Sequence, residues 1–299
     1  MNNFANERFS SKHVKKKTVN TLLSIDSKFR KDYFKTDPAN FSVKLSVPFK
    51  NVLSMKLSSL ELTNSIYTIT DLDGTNIFNI ISEVGSNLGQ GTVTVRLPTG
   101  NYQSNTLKTA VNEQLSAYQT GNGDKPFSDI ELKIDTVSGR CIIERTDLTT
   151  GDPFELDFTN TTKDNAPPML TLGWLLGFRN IKYKGKNKYV SECLVDLAGP
   201  KYFYFCINDF QKSVNQAVLG VYENSFLSRN ILARILIREG KYIVLFDDGS
   251  DTITKKREYF GPVNIERLHI ELINEYGQHI NINNQDFSFA LELEVQYEY

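Results

Sequence analysis

Long stretches of the chain alternate apolar and polar residues with a period of two, the pattern of strands that bury one face. Phe41, Val43, Leu45 and Val47 alternate with Ser42, Lys44 and Ser46, and Pro48 is then expected to bar continuation in a central strand. In VLSMKLSSLEL, Leu53, Met55 and Leu57 share one phase while Leu60 and Leu62 share the other. The slip at Ser58-Ser59 predicts a β-bulge and a long bent strand passing between two sheets. Asp73-Gly74 is expected at the turn of a hairpin that leads into IFNII. The most regular alternation is FSFALELEVQYEY, residues 287–299, expected to be a half-buried strand running to the last residue. It should be paired inside a sheet, because left exposed it would present unpaired backbone groups.

Residues 92–178 follow a different pattern. TVTVRLP reads as a strand with Val93, Val95 and Leu97 inward. SNTLKTAVNEQLSAY places Leu107, Val111, Leu115 and Tyr118 on one helical face, with Ser104 or Asn105 as the expected cap. IELKI, a turn at Ser138-Gly139 and RCIIER make a hairpin, FELDF adds a strand, and TLGWLLGF forms a short apolar helix or turn. From about residue 185 strands return: YVSECLVDL, KYFYFCI, NILARILI, KYIVLF, ERLHIELI and the C-terminal segment. Many short strands between turn-rich segments argue for an antiparallel sandwich. The expected fold is therefore mainly β: an antiparallel jelly-roll β-sandwich from residues 21–90 and 185–299, with residues 91–184 as an inserted small α+β module. Two consecutive domains split near 180 are the weaker arrangement, since residues 21–90 hold too few strands to close a sandwich.

Charge adds an N-terminal arm. Residues 1–31 carry eight Lys/Arg against Glu7 and Asp26, a net +6 on a chain whose formal charge is −1, so the remainder carries −7. Residues 1–20 lack periodicity and read as a flexible basic arm, with Lys12, Lys15, Lys16 and Lys17 as candidate assembly contacts. An unstructured, solvated terminus accounts for the same charges equally well. Cys141, Cys193 and Cys206 have no paired spacing, which points to a reducing compartment. No leading apolar run resembles a signal peptide, and MLTLGWLLGF is far short of the roughly 20 residues that span a bilayer.

Catalytic chemistry is hard to find. His13, His269 and His279 lie in the arm, a strand and a turn; His269 shares a face with Glu271, but no third ligand is visible in sequence. FDDGSD (246–251) is better explained as a turn than as a calcium loop. No nucleophile elbow, phosphate loop or dinucleotide fingerprint occurs, and NLGQG leads into a strand. Cys193 and Cys206 are expected to be buried small hydrophobes, and Trp174 to be core. FRNIKYKGKNKY (178–189) could contact nucleic acid, but Lys182, Lys184, Lys186 and Lys188 on one phase also suit a strand edge protected by lysine. No enzyme, cofactor, metal or small-molecule substrate is expected.

Four segments resemble a known family. SIDSKFRKDYFKTDPANFSVKLSVPFKNVLSMKLSSLELTNSIYTI is similar to the opening of β-rich virion proteins of nucleocytoplasmic large DNA viruses, which pair an IDS–R start with P–F–V–L and V–S–L–S–E strands. LPTGNYQSNTLKTAVNEQL with TLGWLLGF resembles a module of viral capsid and tail proteins, and NIERLHIELINEYGQHININNQDFSFALELEV resembles these proteins' recurrent ending. The resemblance implies a jelly-roll capsid protein, either the penton at the icosahedral vertices or a minor capsid protein beneath the shell. It implies a homo-oligomer, a pentamer in the vertex case, with other capsid proteins as partners. It also implies a place in the virion after assembly in the host cytoplasm, and an arm that meets membrane, nucleic acid or a neighbouring capsid protein. The alternative from another class is a carbohydrate-binding or receptor-binding β-sandwich, which would need an aromatic platform or a carboxylate pair.

Overall fold

The computed structural model describes residues 17–82, 91–148, 152–162, 166–212, 215, 218–223, 225–228, 230–248, 253–254 and 256–297. Along the chain run β1 (Thr18–Asp26), β2 (Asn40–Thr63), β3 (Ile77–Ser82), β4 (Thr92–Arg96), α1 (Ser104–Ala117), β5 (Ile130–Ile134), β6 (Arg140–Arg145) and β7 (Phe154–Asp157). Then come α2 (Leu172–Leu175), β8 (Lys182–Lys186), β9 (Lys188–Leu194), β10 (Tyr202–Asn208), β11 (Val221–Tyr222), β12 (Ser225–Phe226) and β13 (Ile231–Leu236). The last strands are β14 (Val244–Asp247), β15 (Ile253–Thr254), β16 (Arg257–Ile273) and β17 (Phe287–Gln296). They divide into two compact units, Met1–Ser65 with Tyr202–Tyr299, and Ile66–Lys201.

In the first unit β2 belongs to two layers. Its residues 52–62 pair with β17, which pairs with β1, and residues 60–63 pair with β14 on the other side. Its residues 40–44 pair with β16, and the order continues through β10, β13 and β15. Phe287 lies in register with Leu62, yet its ring is 6.1 Å from that of Phe41. A straight strand from 41 to 62 would be about 70 Å long, so β2 folds over and its halves face each other. Phe205 of β10 and Phe289 of β17, 4.9 Å apart, meet across the same space. Two facing antiparallel layers, β1–β17–β2–β14 and β2–β16–β10–β13, form a jelly roll.

The bends in β2 follow its sequence. Ala290 pairs with Ser59 and Leu291 with Leu57, so Ser58 is the surplus residue that the phase slip predicts. Leu53 is a second, between Ser54↔Glu294 and Val52↔Val295. Pro48, expected to end the strand, does not. The ladder with β16 breaks register between Lys44↔Arg267 and Phe49↔Ile265, and the proline sits in that slack where no ladder N–H is required. Asn51 adopts φ 57, and its N–H donates to Asn264 Oδ1 at 3.2 Å. On β10 both faces are covered: Phe203, Phe205 and Ile207 point into the sandwich, while Tyr204 and Cys206 pack with Val218 and Leu227. That is why KYFYFCI is a continuous apolar run rather than an alternating one.

The second unit holds two antiparallel sheets, β4–β3–β7–β8 and β5–β6–β9, with α1 packed on β4 and β5. Leu107, Val111 and Leu115 of the helix enter its core beside Val93, Val95, Leu132 and Ile143. The cap is Gln103, one residue before the first of the two expected caps, and its backbone N–H donates to Thr106 Oγ1 at 3.0 Å. The hairpin at Ser138-Gly139 is present, Gly139 taking φ 68. The turn at Asp73-Gly74 is also present but joins no hairpin, because Ile69 bridges Gly100 and β3 pairs with β4 and β7. The unit boundaries fall at 66 and 201 rather than 91 and 184. IFNII and YVSECL supply β3 and β9 here, because the partners that cover their apolar phases are β4, β7 and β6. No helix among the described residues is long and apolar enough to cross a membrane.

Candidate assembly surfaces

The IDS–R segment folds into a clasp. Ile25 is buried, Asp26 Oδ1 accepts from Lys28 N–H at 2.9 Å, and a short helical turn carries Ser27 and Arg30 inward. Asp286, just before β17, then accepts from Arg30 Nη1 at 2.6 Å, from Ser27 Oγ at 2.8 Å and from Tyr33 OH at 2.8 Å. Arg30 also donates to the carbonyls of Ser27, Tyr33 and Thr36, and its guanidinium lies 4.0 Å from the Tyr33 ring centroid. Burial alone would raise the Asp286 pKa, but the bonds from Ser27, Tyr33 and Arg30 outweigh it and hold the carboxyl below its ordinary range. On this fixed base Phe29 and Phe34 stand 79% and 98% exposed. Rings so exposed on a rigid segment mark a contact surface better than scattered apolar residues do.

The outer face of the β1–β17–β2–β14 layer is polar through its middle. Lys56 pairs with Glu292 at 2.9 Å, Lys256 with Glu294, Asn20 donates to Glu292 at 2.9 Å, and Ser288 donates to Glu61 at 2.7 Å. Several of these groups line a shallow groove of about 370 Å³. Lys256, above all, lowers the Glu294 pKa. Apolar side chains surface instead at the two edges: Leu22 on β1 is 61% exposed, and Val244 and Phe246 on β14 are 56% and 64% exposed.

Of the four candidate assembly lysines, Lys17 alone lies among the described residues. Lys12, Lys15 and Lys16, with most of the expected arm, lie outside the described residues. Lys17 is exposed, and its carbonyl accepts from Tyr297 N–H at 2.9 Å, so Thr18–Asn20 are already strand. In the 178–189 stretch Lys182 pairs with Asp157, Lys184 with Glu155 and Lys188 with Glu144. Carboxylates therefore neutralise much of the charge that nucleic acid would use. Arg179 lies 3.9 Å over Trp174, and that ring is half-buried rather than core.

The sequence placed His279 in a turn but missed its partner. Its turn folds back so that Nε2 lies 2.9 Å from Glu271 Oε1, with His269 Nε2 3.8 Å from the same oxygen. The irregular chain that follows Ile273 carries no periodicity that could have announced the contact. Among the described residues no three His, Cys, Asp or Glu side chains are placed to hold a metal ion. Cys141 and Cys206 are buried, but Cys193 is exposed, contrary to expectation: it shares the phase of the buried Tyr189 and Ser191, yet burial along β9 stops at Ser191. Asp247 and Asp248 follow Phe246 at the end of β14, and Gly249–Asp251 lie outside the described residues.

No family model matches the chain, and neither does any curated protein. Among solved structures it is similar to the mavirus penton protein, with 13% identity over 94% of this chain and 100% of that one, at a TM-score of 0.48. It is also similar to a chain of the Sputnik virophage in its cryo-EM structure, with 13% identity over 92% and 97% of the two chains, at a TM-score of 0.44.

Proposed function

We propose that the chain is a structural virion protein: a penton or minor capsid component that assembles with copies of itself and with the major capsid protein of a large icosahedral DNA virus. The observation that carries this reading is the clasp, a partly buried Arg30–Asp286 pair on the segment from which Phe29 and Phe34 stand out into solvent. A catalyst gathers its polar groups in a cleft; this surface displays apolar groups for a partner to cover. The IDS–R motif that the resemblance rests on is the clasp itself. In this reading the jelly roll supplies the contacts between copies and Ile66–Lys201 is a decoration carried by it. The basic arm, with Lys12, Lys15, Lys16 and Lys17, is a tether to an acidic neighbouring surface, whether capsid protein, membrane or nucleic acid. The site of action is the virion, assembled in the host cytoplasm.

The test is the protein composition of purified virions. The chain is expected there in a fixed ratio to the major capsid protein, and Phe29→Ser with Phe34→Ser is expected to fold yet fail to be incorporated. A protein that accumulates free in infected cells and is absent from purified particles would sink the reading.

A further inference from the structure

The two edges of the β1–β17–β2–β14 layer are complementary. β1 keeps one unbroken register with β17 from Thr18↔Gln296 to Asp26↔Ser288. The bond from Tyr297 N–H to the Lys17 carbonyl fixes the alternation of its peptide groups. Those of residues 19, 21, 23 and 25 face β17, and those of Asn20, Leu22 and Ser24 face away from the sheet. At the opposite edge Asn64 N–H donates to the Ile243 carbonyl at 2.9 Å. By the same alternation Leu245 faces β2, and the peptide groups of Val244 and Phe246 point outward.

Edges of this length are normally blunted by lysine, proline or a bulge. TVNTLLSID contains none of these, although the chain uses the lysine device on β8, with Lys182, Lys184 and Lys186. The edges also match in side chains and charge. Leu22, Val244 and Phe246 are exposed apolar groups at the edges of a face that is ion-paired through its middle. Lys17 immediately precedes β1, whereas Asp247 ends β14 and Asp248 follows it. Direction agrees as well. Successive strands of the layer are antiparallel, so β14 runs opposite to β1. A neighbour generated by rotation about an axis along the strands would bring its β1 antiparallel to β14, with the acidic end of one beside the basic start of the other.

We propose that β14 of one copy pairs antiparallel with β1 of the next, Val244 opposite Leu22 and Phe246 opposite Asn20, so that the sheet runs on across the subunit boundary. The inference rests on the reading that the chain assembles with copies of itself, and it adds which surface does so. The contact is heterologous: each copy offers one edge of each kind, as a closed ring requires.

Leu22→Cys with Val244→Cys, in a Cys193→Ser background, tests the pairing directly. Residues opposite each other in a hydrogen-bonded antiparallel pair have Cα atoms about 5.5 Å apart, within disulfide reach. Gentle oxidation of the full chain is expected to give covalent oligomers from the double variant and none from either single one. Leu22→Pro is the companion variant, because the N–H it removes faces away from the sheet. It is expected to leave the melting curve unchanged and to weaken self-association at least tenfold by analytical ultracentrifugation. An oligomer that neither cross-links nor responds to Leu22→Pro overturns the edge pairing and leaves self-assembly standing. Dimers linked through Leu22→Cys alone overturn it in favour of a two-fold contact. A chain that stays monomeric at every concentration overturns both the pairing and self-assembly, and virion composition then judges the capsid role separately.

Discussion

The clasp predicts a large and specific energetic coupling between the two ends of the first unit. The perturbation is Asp286→Asn. The Arg30 side chain is 3% exposed and that of Asp286 is 25% exposed, and no other carboxylate pairs with Arg30 among the described residues. Stripping one partner from a buried pair costs about 3–5 kcal/mol, because the remaining charge stays desolvated. Here Arg30 keeps its bonds to the carbonyls of Ser27, Tyr33 and Thr36, and asparagine keeps one oxygen to accept. The expected loss is therefore near the lower bound, about 2–3 kcal/mol, with Asp286→Ala about 1 kcal/mol worse. Against a total stability of about 5–15 kcal/mol that shift is readily measured by urea denaturation. Arg30→Met closes a double-mutant cycle, and the double variant is expected to lose about 1–3 kcal/mol less than the two singles added together. Additivity within about 0.5 kcal/mol would refute the reasoning, since it would mean the pair does not act as a unit. The pH dependence gives a second check. The Asp286 pKa is lower in the folded state than its unfolded value near 3.9. Its contribution is thus present in full above that value and lost as pH falls through the folded one. Asp286→Asn should flatten this acid limb.

Three further outcomes follow from particular positions. In the native chain Cys193 should react at once with a chromogenic thiol reagent, while Cys141 and Cys206 wait for denaturant: burial raises the Cys141 pKa and pushes that of Cys206 up to about 12. Equal reactivity of all three would contradict the burial. Gly173→Ala should destabilise the second unit by about 1–3 kcal/mol in a thermal melt, because its Cβ would lie 2.5 Å from Phe158 Cγ, a ring stacked between Phe78 and Phe178. Gly121→Ala, with nothing within 4 Å, is the control expected to leave the melt in place. Residues 66–201 expressed alone should fold with a cooperative melt, since their core closes on itself; a molten, dye-binding product would show that the core needs the first unit.

The sequence alone determined the local features. The period of two marked most of the strands, and the phase slip placed the bulge at Ser58, because deletion or insertion of one residue in a strand swaps its faces. The Leu107, Val111 and Leu115 spacing found the helix for the same reason: each pattern is completed within a few residues of chain. Periodicity states that a face is buried but not what buries it. IFNII and YVSECL therefore read as strands yet could not reveal that β4, β7 and β6 would claim them for the second unit. Arg30 could be seen in the IDS–R motif, but its partner Asp286 is 256 residues away, and only the pairing of β1 with β17 brings them together. The edges of β1 and β14 belong to the same class. Whether a strand lies in the middle of a sheet or at its rim is set by non-local pairing, and so the tertiary structure alone decided which apolar residues remain for a partner.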